Sequence, residues 1–154
     1  MPLSRSEYEM LAAFRYSLRQ FLSFSEKAAA GVGLTQQQYQ ALLAVRAHPG
    51  PGLLTISDLA AQMLIKHHSA VGMVNRLEQQ GMVRREPQAD DGRKVGIRLT
   101  PTGQRVFDRL ASSHRGELRR IGRDVGRFMN YFARATGKSI ARQASANRRP
   151  ASRS

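Results

Sequence analysis

The sequence predicts a mainly α-helical fold carrying one small β-hairpin, and three observations support this. Apolar residues recur at steps of three and four along most of the 154 residues. Two short runs of β-type residues, at 82–86 and 95–99, flank the polar segment PQADDGRK. Capping residues, prolines and glycines mark where helices start and stop.

The first helix is expected over residues 7–30. Tyr8, Leu11, Phe14, Leu18, Phe21, Leu22 and Ser25 lie on one stripe, and Gly31 and Gly33 end it. Thr35 and Gln38 then fit a capping box, in which each side chain satisfies a backbone N–H of the other residue; Leu34 and Tyr39 fit the accompanying hydrophobic staple. The second helix continues through Leu42, Leu43 and Val45 to Ala47, where Pro49-Gly50-Pro51-Gly52 breaks it. Residues 53–56 are expected to form a very short strand. Thr55, with Asp58 three residues on, opens a short helix ending at Met63, with Leu59 and Ala60 inward. A tight turn at 64–66 leads into a helix over 67–80. Its inward face is Ala70, Val71, Val74 and Leu77, with Met73 flanking, and Gly81 closes it.

The β-type runs around PQADDGRK form a hairpin. Thr100-Pro101 then places an N-cap before a proline at the first helical position. That helix is expected to end near His114, with Val106, Phe107 and Leu110 apolar. A separate last helix over 117–133 carries Leu118, Ile121, Val125, Phe128, Met129 and Phe132 on one stripe. From Gly137 onward the Arg/Ser/Ala-rich residues are expected to be a basic, disordered tail.

Composition bounds the function. The formal net charge is +14 and the pI about 11.5, well beyond the level that flags nucleic-acid binding. Lys138, Arg142, Arg148, Arg149 and Arg153 contribute five of those charges, so residues 1–135 keep a net of nine. The absence of cysteine excludes a disulfide scaffold and thiolate metal sites. No run approaches the roughly 20 apolar residues of a membrane span. MPLSRSEYEM has no apolar core of a secretory signal. A soluble, cytoplasmic protein with no membrane partner is expected. No Gly-rich phosphate loop, H-E-x-x-H, nucleophile elbow or paired carboxylates appear, so neither an enzyme nor a bound cofactor is expected.

Short helix, tight turn, longer helix and hairpin are the order of a winged helix-turn-helix. In such a unit the second helix enters the DNA major groove, its N-terminal residues at the base edges. Those residues here are Lys66, His67, His68 and Ser69, followed by Gly72, whose lack of a side chain permits close approach, and Arg76, which reaches phosphate. The hairpin is the wing. Arg93 and Lys94 lie near its tip, which suits the negative potential of the minor groove. Asp91 is expected to orient the Arg93 guanidinium through a charge-assisted hydrogen bond.

The run LTISDLAAQMLIKHHSAVGMVNRLEQQGMVRREPQADDGRKVGIRLTPTG resembles the MarR family of bacterial transcription regulators. The similarity rests on the helix pair, the N-R-L-E-x-x-G end of the second helix, the Val-Arg-Arg-x-Pro strand, the Asp-x-Arg wing and the Leu-Thr-Pro-x-Gly helix start. It covers about residues 7–135, with a DNA-binding lobe at about 35–100 and dimerisation helices at about 7–30 and 101–135. It implies a homodimer on a pseudo-palindromic operator in double-stranded DNA, usually repressing and released by a small aromatic or carboxylate effector. The positions carried over as DNA contacts are Lys66, His67, His68, Ser69 and Arg76, with Arg85, Asp91 and Arg93 at the wing. The family commonly has Ser or Thr near Lys66 and His68, and a larger side chain at Gly72, so this chain departs from the pattern there.

Other readings stand beside these. Arg85 either touches DNA or braces the wing. Phe14, Arg15, Leu18, Tyr39, Leu43 and Arg46 are candidates to line an effector pocket, against the plainer readings of core packing and solvated arginines. Tyr8, Leu11, Leu118, Ile121, Val125, Phe128, Met129 and Phe132 are candidates for the dimer interface. His67 and His68 point about 100° apart on a helix, which disfavours joint metal chelation. The competing function is a winged-helix module that binds DNA non-specifically, or binds protein, without an effector.

Overall fold

Local capping sets the helix boundaries. The computed structural model describes residues 2–146, with side chains described through Arg134. Helix α1 spans Arg5–Ala30 and α2 spans Gln36–Ala47. Gly33, at φ 76°, makes the left-handed turn between them. The expected capping box is present: Thr35 Oγ1 accepts from Gln38 N at 3.1 Å, and Gln38 Oε1 accepts from Thr35 N at 2.9 Å. Both residues of the predicted staple, Leu34 and Tyr39, are buried. The PGPG segment ends α2 and leads to β1, Leu54–Thr55.

Thr55 caps α3, Ile56–Met63, its hydroxyl oxygen accepting from Asp58 N at 3.1 Å. Helix α4 spans His67–Gln79, and Gly81, at φ 71°, turns the chain into β2, Val83–Pro87. Strand β3 is Val95–Leu99. The sheet order is β1-β3-β2, all antiparallel, with Leu54 opposite Ile97 and Arg85 opposite Ile97 from the other side. The buried face of α4 is Ala70, Met73, Val74 and Leu77; Val71, expected inward, is only half-buried, and Met73 takes its place.

Helix α5 corrects two expectations. It runs unbroken over Pro101–Ala146, where the sequence suggested a break near 114–117 and an end near 133. The apparent break is a polar run that stays helical. Ser112 and Ser113 hydroxyls donate to the carbonyls of Asp108 and Arg109, and His114 bonds Leu110, each four residues back. Gly116 has no positive φ. Beyond 133, residues rich in Ala, Arg, Lys and Gln favour helix and no proline intervenes before Pro150. Residues 136–146 of the expected disordered tail are therefore helical. The rest of the tail lies outside the described residues.

The chain divides into two units. The one spanning Ser23–Gly116 holds the sheet and the helix-turn-helix. Its core includes Leu42, Leu54, Leu59, Val74, Leu77 and Ile97, all essentially sealed from solvent. Each such side chain stabilises the fold by about 1.5–3 kcal/mol. His114 is buried there too, its ring stacked on Tyr39 with centroids 4.4 Å apart. Its Nδ1 donates to the Leu110 carbonyl at 2.7 Å, since a carbonyl only accepts, and its Nε2 hydrogen-bonds Ser25 Oγ at 2.8 Å.

The other unit comprises residues up to Leu22 and from Glu117. Phe14 stacks on Phe128 with centroids 4.2 Å apart, and Phe128 lies 4.7 Å from Phe132. Ser17 donates to Asp124 at 3.2 Å, and Ile121 is buried. Large apolar side chains nevertheless stay open: Tyr8 is 55% exposed, Leu118 50% and Met129 58%.

Candidate nucleic-acid interface

Once α4 buries Ala70, Met73, Val74 and Leu77, its periodicity turns Lys66, His67, His68, Ser69 and Arg76 outward, and all five are exposed. Lys66 is the N-cap of α4 and makes no side-chain cap, unlike the threonines that close α2 and α3. The start of α4 thus has no side-chain cap from Lys66, while the Ser69 and Ala70 N–H groups donate to the Lys66 carbonyl at 3.0 and 3.1 Å; an uncapped helix start suits a phosphate. Gly72 faces the same side. A Cβ built there would meet only Arg76 Nη1, at 3.6 Å.

The wing is held at its base by a side chain that the sequence reading missed. Gln88 is buried, and its amide brackets Leu53: Oε1 accepts from Leu53 N at 2.9 Å and Nε2 donates to Leu53 O at 2.7 Å. This pair imitates one further rung of the β1–β3 ladder. It depends on glycine opposite, since a Cβ at Gly96 would lie 2.2 Å from the Leu53 Cβ. A glutamine in a polar loop gives no local signal of this role; Gly52 and Gly96 were the only hints.

At the tip, Asp91 does not hold the Arg93 guanidinium as expected. Its carboxylate accepts from the Arg93 backbone N–H at 3.1 Å, and its carbonyl accepts from Lys94 N at 3.0 Å. A short side chain two residues away closes an Asx-type turn more readily than it reaches the end of an arginine. Arg93 and Lys94 are exposed on this turn.

Arg85 points back to α4. Its guanidinium donates to the Glu78 carboxylate and, at 2.7 Å, to Asn75 Oδ1, while its backbone N donates to Glu78 at 3.1 Å. These contacts favour the bracing reading, in which Arg85 fixes the wing strand on the last turns of α4. Beside it Glu86 sits between Arg84 and Arg98, at 2.6 and 2.7 Å. Hydrogen bonding from Arg98, then Arg84, holds its carboxyl below the usual carboxylate range. Thr100 ties the hairpin exit to α5: its N–H donates to Met82 O at 3.0 Å and its hydroxyl oxygen accepts from Gly103 N at 3.0 Å.

The candidate effector residues are divided between the two units. Phe14, Arg15 and Leu18 belong to one unit; Tyr39, Leu43 and Arg46 belong to the other. Tyr39 is core, packed on Phe107 and His114, and burial raises its phenol pKa. Leu43 lines a cavity of about 520 Å³ with Gln36, Gln37, Gln40, Met63 and Ile65, a lining that includes none of the other five candidates. A second cavity, of about 480 Å³, opens beside Arg76 and Met73 of α4.

Known proteins share this arrangement. The MarR family model matches residues 32–94, which contain the helix-turn-helix, β2 and the wing loop but not β3. The homoprotocatechuate degradative operon repressor of Escherichia coli is 31% identical over 88 residues, covering 57% of each chain. AbsC, a MarR family transcriptional regulator of Streptomyces coelicolor, superposes with a TM-score of 0.67 at 24% identity, over 95% of this chain and 99% of its own. CouR of Rhodococcus jostii RHA1, in a structure bound to p-coumaroyl-CoA, gives a TM-score of 0.63 at 25% identity, over 79% of this chain and 84% of its own. The chain spans about half the length of several curated relatives it matches.

Proposed function

We propose that the chain is a member of the MarR family, whose model matches residues 32–94, and acts as a sequence-specific DNA-binding transcriptional regulator. It acts in the cytoplasm as a homodimer on a pseudo-palindromic operator, most simply as a repressor released by a small aromatic or carboxylate effector. One observation carries the reading. Lys66, His67, His68, Ser69 and Arg76 stand exposed on a helix with an uncapped N-terminus, in the same unit as a wing that presents Arg93 and Lys94. Exposed lysine and arginine side chains and the uncapped helix start supply phosphate contacts, and histidine and serine supply donors and acceptors for base edges.

The dimer is supported by Tyr8, Leu118 and Met129, which are left half-exposed or more although each is large and apolar. A twofold dimer sets two copies of α4 about 34 Å apart, one turn of DNA. The effector is supported by the aromatic thioester in CouR and by the operon named for the Escherichia coli repressor. The cavity beside Leu43, of about 520 Å³, is in the size range of sites for small aromatic acids.

Salt titration tests the DNA-binding surface. Arg93→Ala is expected to weaken binding and to lower the slope of log affinity against log salt by about 1 per wing. Arg85→Ala weakens binding with the slope unchanged, because its guanidinium serves Glu78 and Asn75. An Arg93→Ala protein that binds like wild type contradicts the wing assignment.

Gly72→Ala separates folding from binding. The new Cβ has ordinary space, and alanine replaces glycine inside a helix, so stability rises by about 1 kcal/mol. DNA affinity nonetheless falls, because the methyl group occupies the surface that approaches DNA. Thermal melting and fluorescence anisotropy on the same preparation check both signs.

A further inference from the structure

Leu64 occupies a left-handed backbone position that closes α3, while its side chain stands almost wholly exposed. Among the described residues it is the only non-glycine with positive φ, at φ 55° and ψ 40°. Its side chain is 93% exposed, although it is large and apolar. The backbone shape is dictated by the turn. Leu64 N–H donates to the carbonyls of Ala60 and Ala61, and Ile65 N reaches Ala60 O at 3.0 Å, which together close α3. Glycine meets such a position at least cost, because any Cβ crowds the backbone there. The chain uses glycine at its other two left-handed positions, Gly33 and Gly81. Leucine at 64 is thus unfavourable in its backbone and leaves apolar surface in water. Strain that the surrounding structure holds in place points to use.

The location says which use. Leu64 lies two residues before Lys66, on the turn that delivers the N-terminus of α4, while its neighbours Met63 and Ile65 turn inward against the core. The exposed residues that follow it are Lys66, His67 and His68. A single exposed apolar side chain followed by polar, basic residues is too small for a protein-docking patch. It matches the one apolar feature that base edges present in the major groove, the thymine 5-methyl group.

We propose that Leu64 is a specificity residue that packs on a thymine methyl beside the bases read by the start of α4. The inference rests on the DNA-binding reading above and deepens it. It also accounts for a departure in kind: one base preference is set by an apolar contact from the turn as well as by hydrogen bonds from the helix.

The test uses the full chain and a duplex selected by it from random DNA. Thymines are replaced singly by deoxyuridine, which removes only the methyl group. Wild type is expected to lose about fourfold in affinity at one thymine position per half-site, the worth of burying about one methylene-sized group. Leu64→Gly is expected to melt no lower than wild type, to bind the unmodified duplex more weakly, and to be indifferent to that deoxyuridine. A Leu64→Gly protein with the wild-type deoxyuridine profile overturns the inference and leaves the DNA-binding reading intact. Equal weakening on every duplex, unrelated ones included, also overturns it by placing Leu64 on the DNA backbone. Failure of wild type to select any motif overturns both.

Discussion

Gly103→Ala is expected to lower the melting temperature by about 5–10 °C, corresponding to a loss of about 2–3 kcal/mol. A Cβ at Gly103 would sit 1.9 Å from the Met82 carbonyl oxygen and 2.8 Å from its carbon. Both are backbone atoms, pinned by the Thr100 N–H to Met82 O bond, so no side chain can swing away. The helix must lift off the hairpin exit. Alanine's better helix propensity, about 1 kcal/mol, is too small to offset this. The control is Gly116→Ala in the same helix, where a Cβ meets nothing within 4 Å. It is expected to stabilise by about 1 kcal/mol. Opposite signs for one substitution at two positions of α5, read by differential scanning calorimetry, check the packing account; equal signs contradict it.

Met129→Asp and Phe128→Asp are expected to convert a dimer to a monomer and to lower operator affinity by at least about 100-fold, towards the level of non-specific binding. The pair separates folding from assembly. Phe128 packs within its own chain against Phe14 and Phe132 but is only half-buried, so losing it also costs fold stability, by less than the ~3–5 kcal/mol of a fully buried phenylalanine. Met129 is 58% exposed, and an aspartate there disturbs little within one chain. Only a partner surface makes Met129→Asp costly. Sedimentation velocity reads the outcome directly. A Met129→Asp protein that sediments as a dimer removes Met129 from the interface; a wild type that sediments as a monomer removes the dimer.

What was legible in the sequence follows the range of the interactions. The Thr35–Gln38 box, the Thr55 cap and the glycine turns at 33 and 81 involve residues at most a few apart, and they appear as written. The exposed face of α4 followed from periodicity alone, because four apolar positions fix where the rest point. The errors arose where a polar residue had two local options. The helix was expected to end near His114, but Ser112 and Ser113 before it bond back to the preceding turn and the helix continues. Asp91 read as a partner for a guanidinium but closes the backbone turn. The candidate pocket residues were hard to read for a different reason. Helical stripes report which residues are apolar without saying which other element they meet, so Phe14 and Tyr39 fell into separate units. The Gln88–Leu53 clamp spans 35 residues and leaves only two glycines as its trace.

The central claim is that this chain reads a DNA sequence. The direct measurement is selection of bound duplexes from a random library at about physiological salt, where non-specific binding is held to Kd values of about 10⁻⁴–10⁻⁶ M, followed by sequencing. The predicted result is an inverted repeat whose half-sites lie about one helical turn, roughly 10 base pairs, apart. Recovery of unenriched sequence would contradict the claim, and would leave a basic winged-helix module that coats DNA or binds protein.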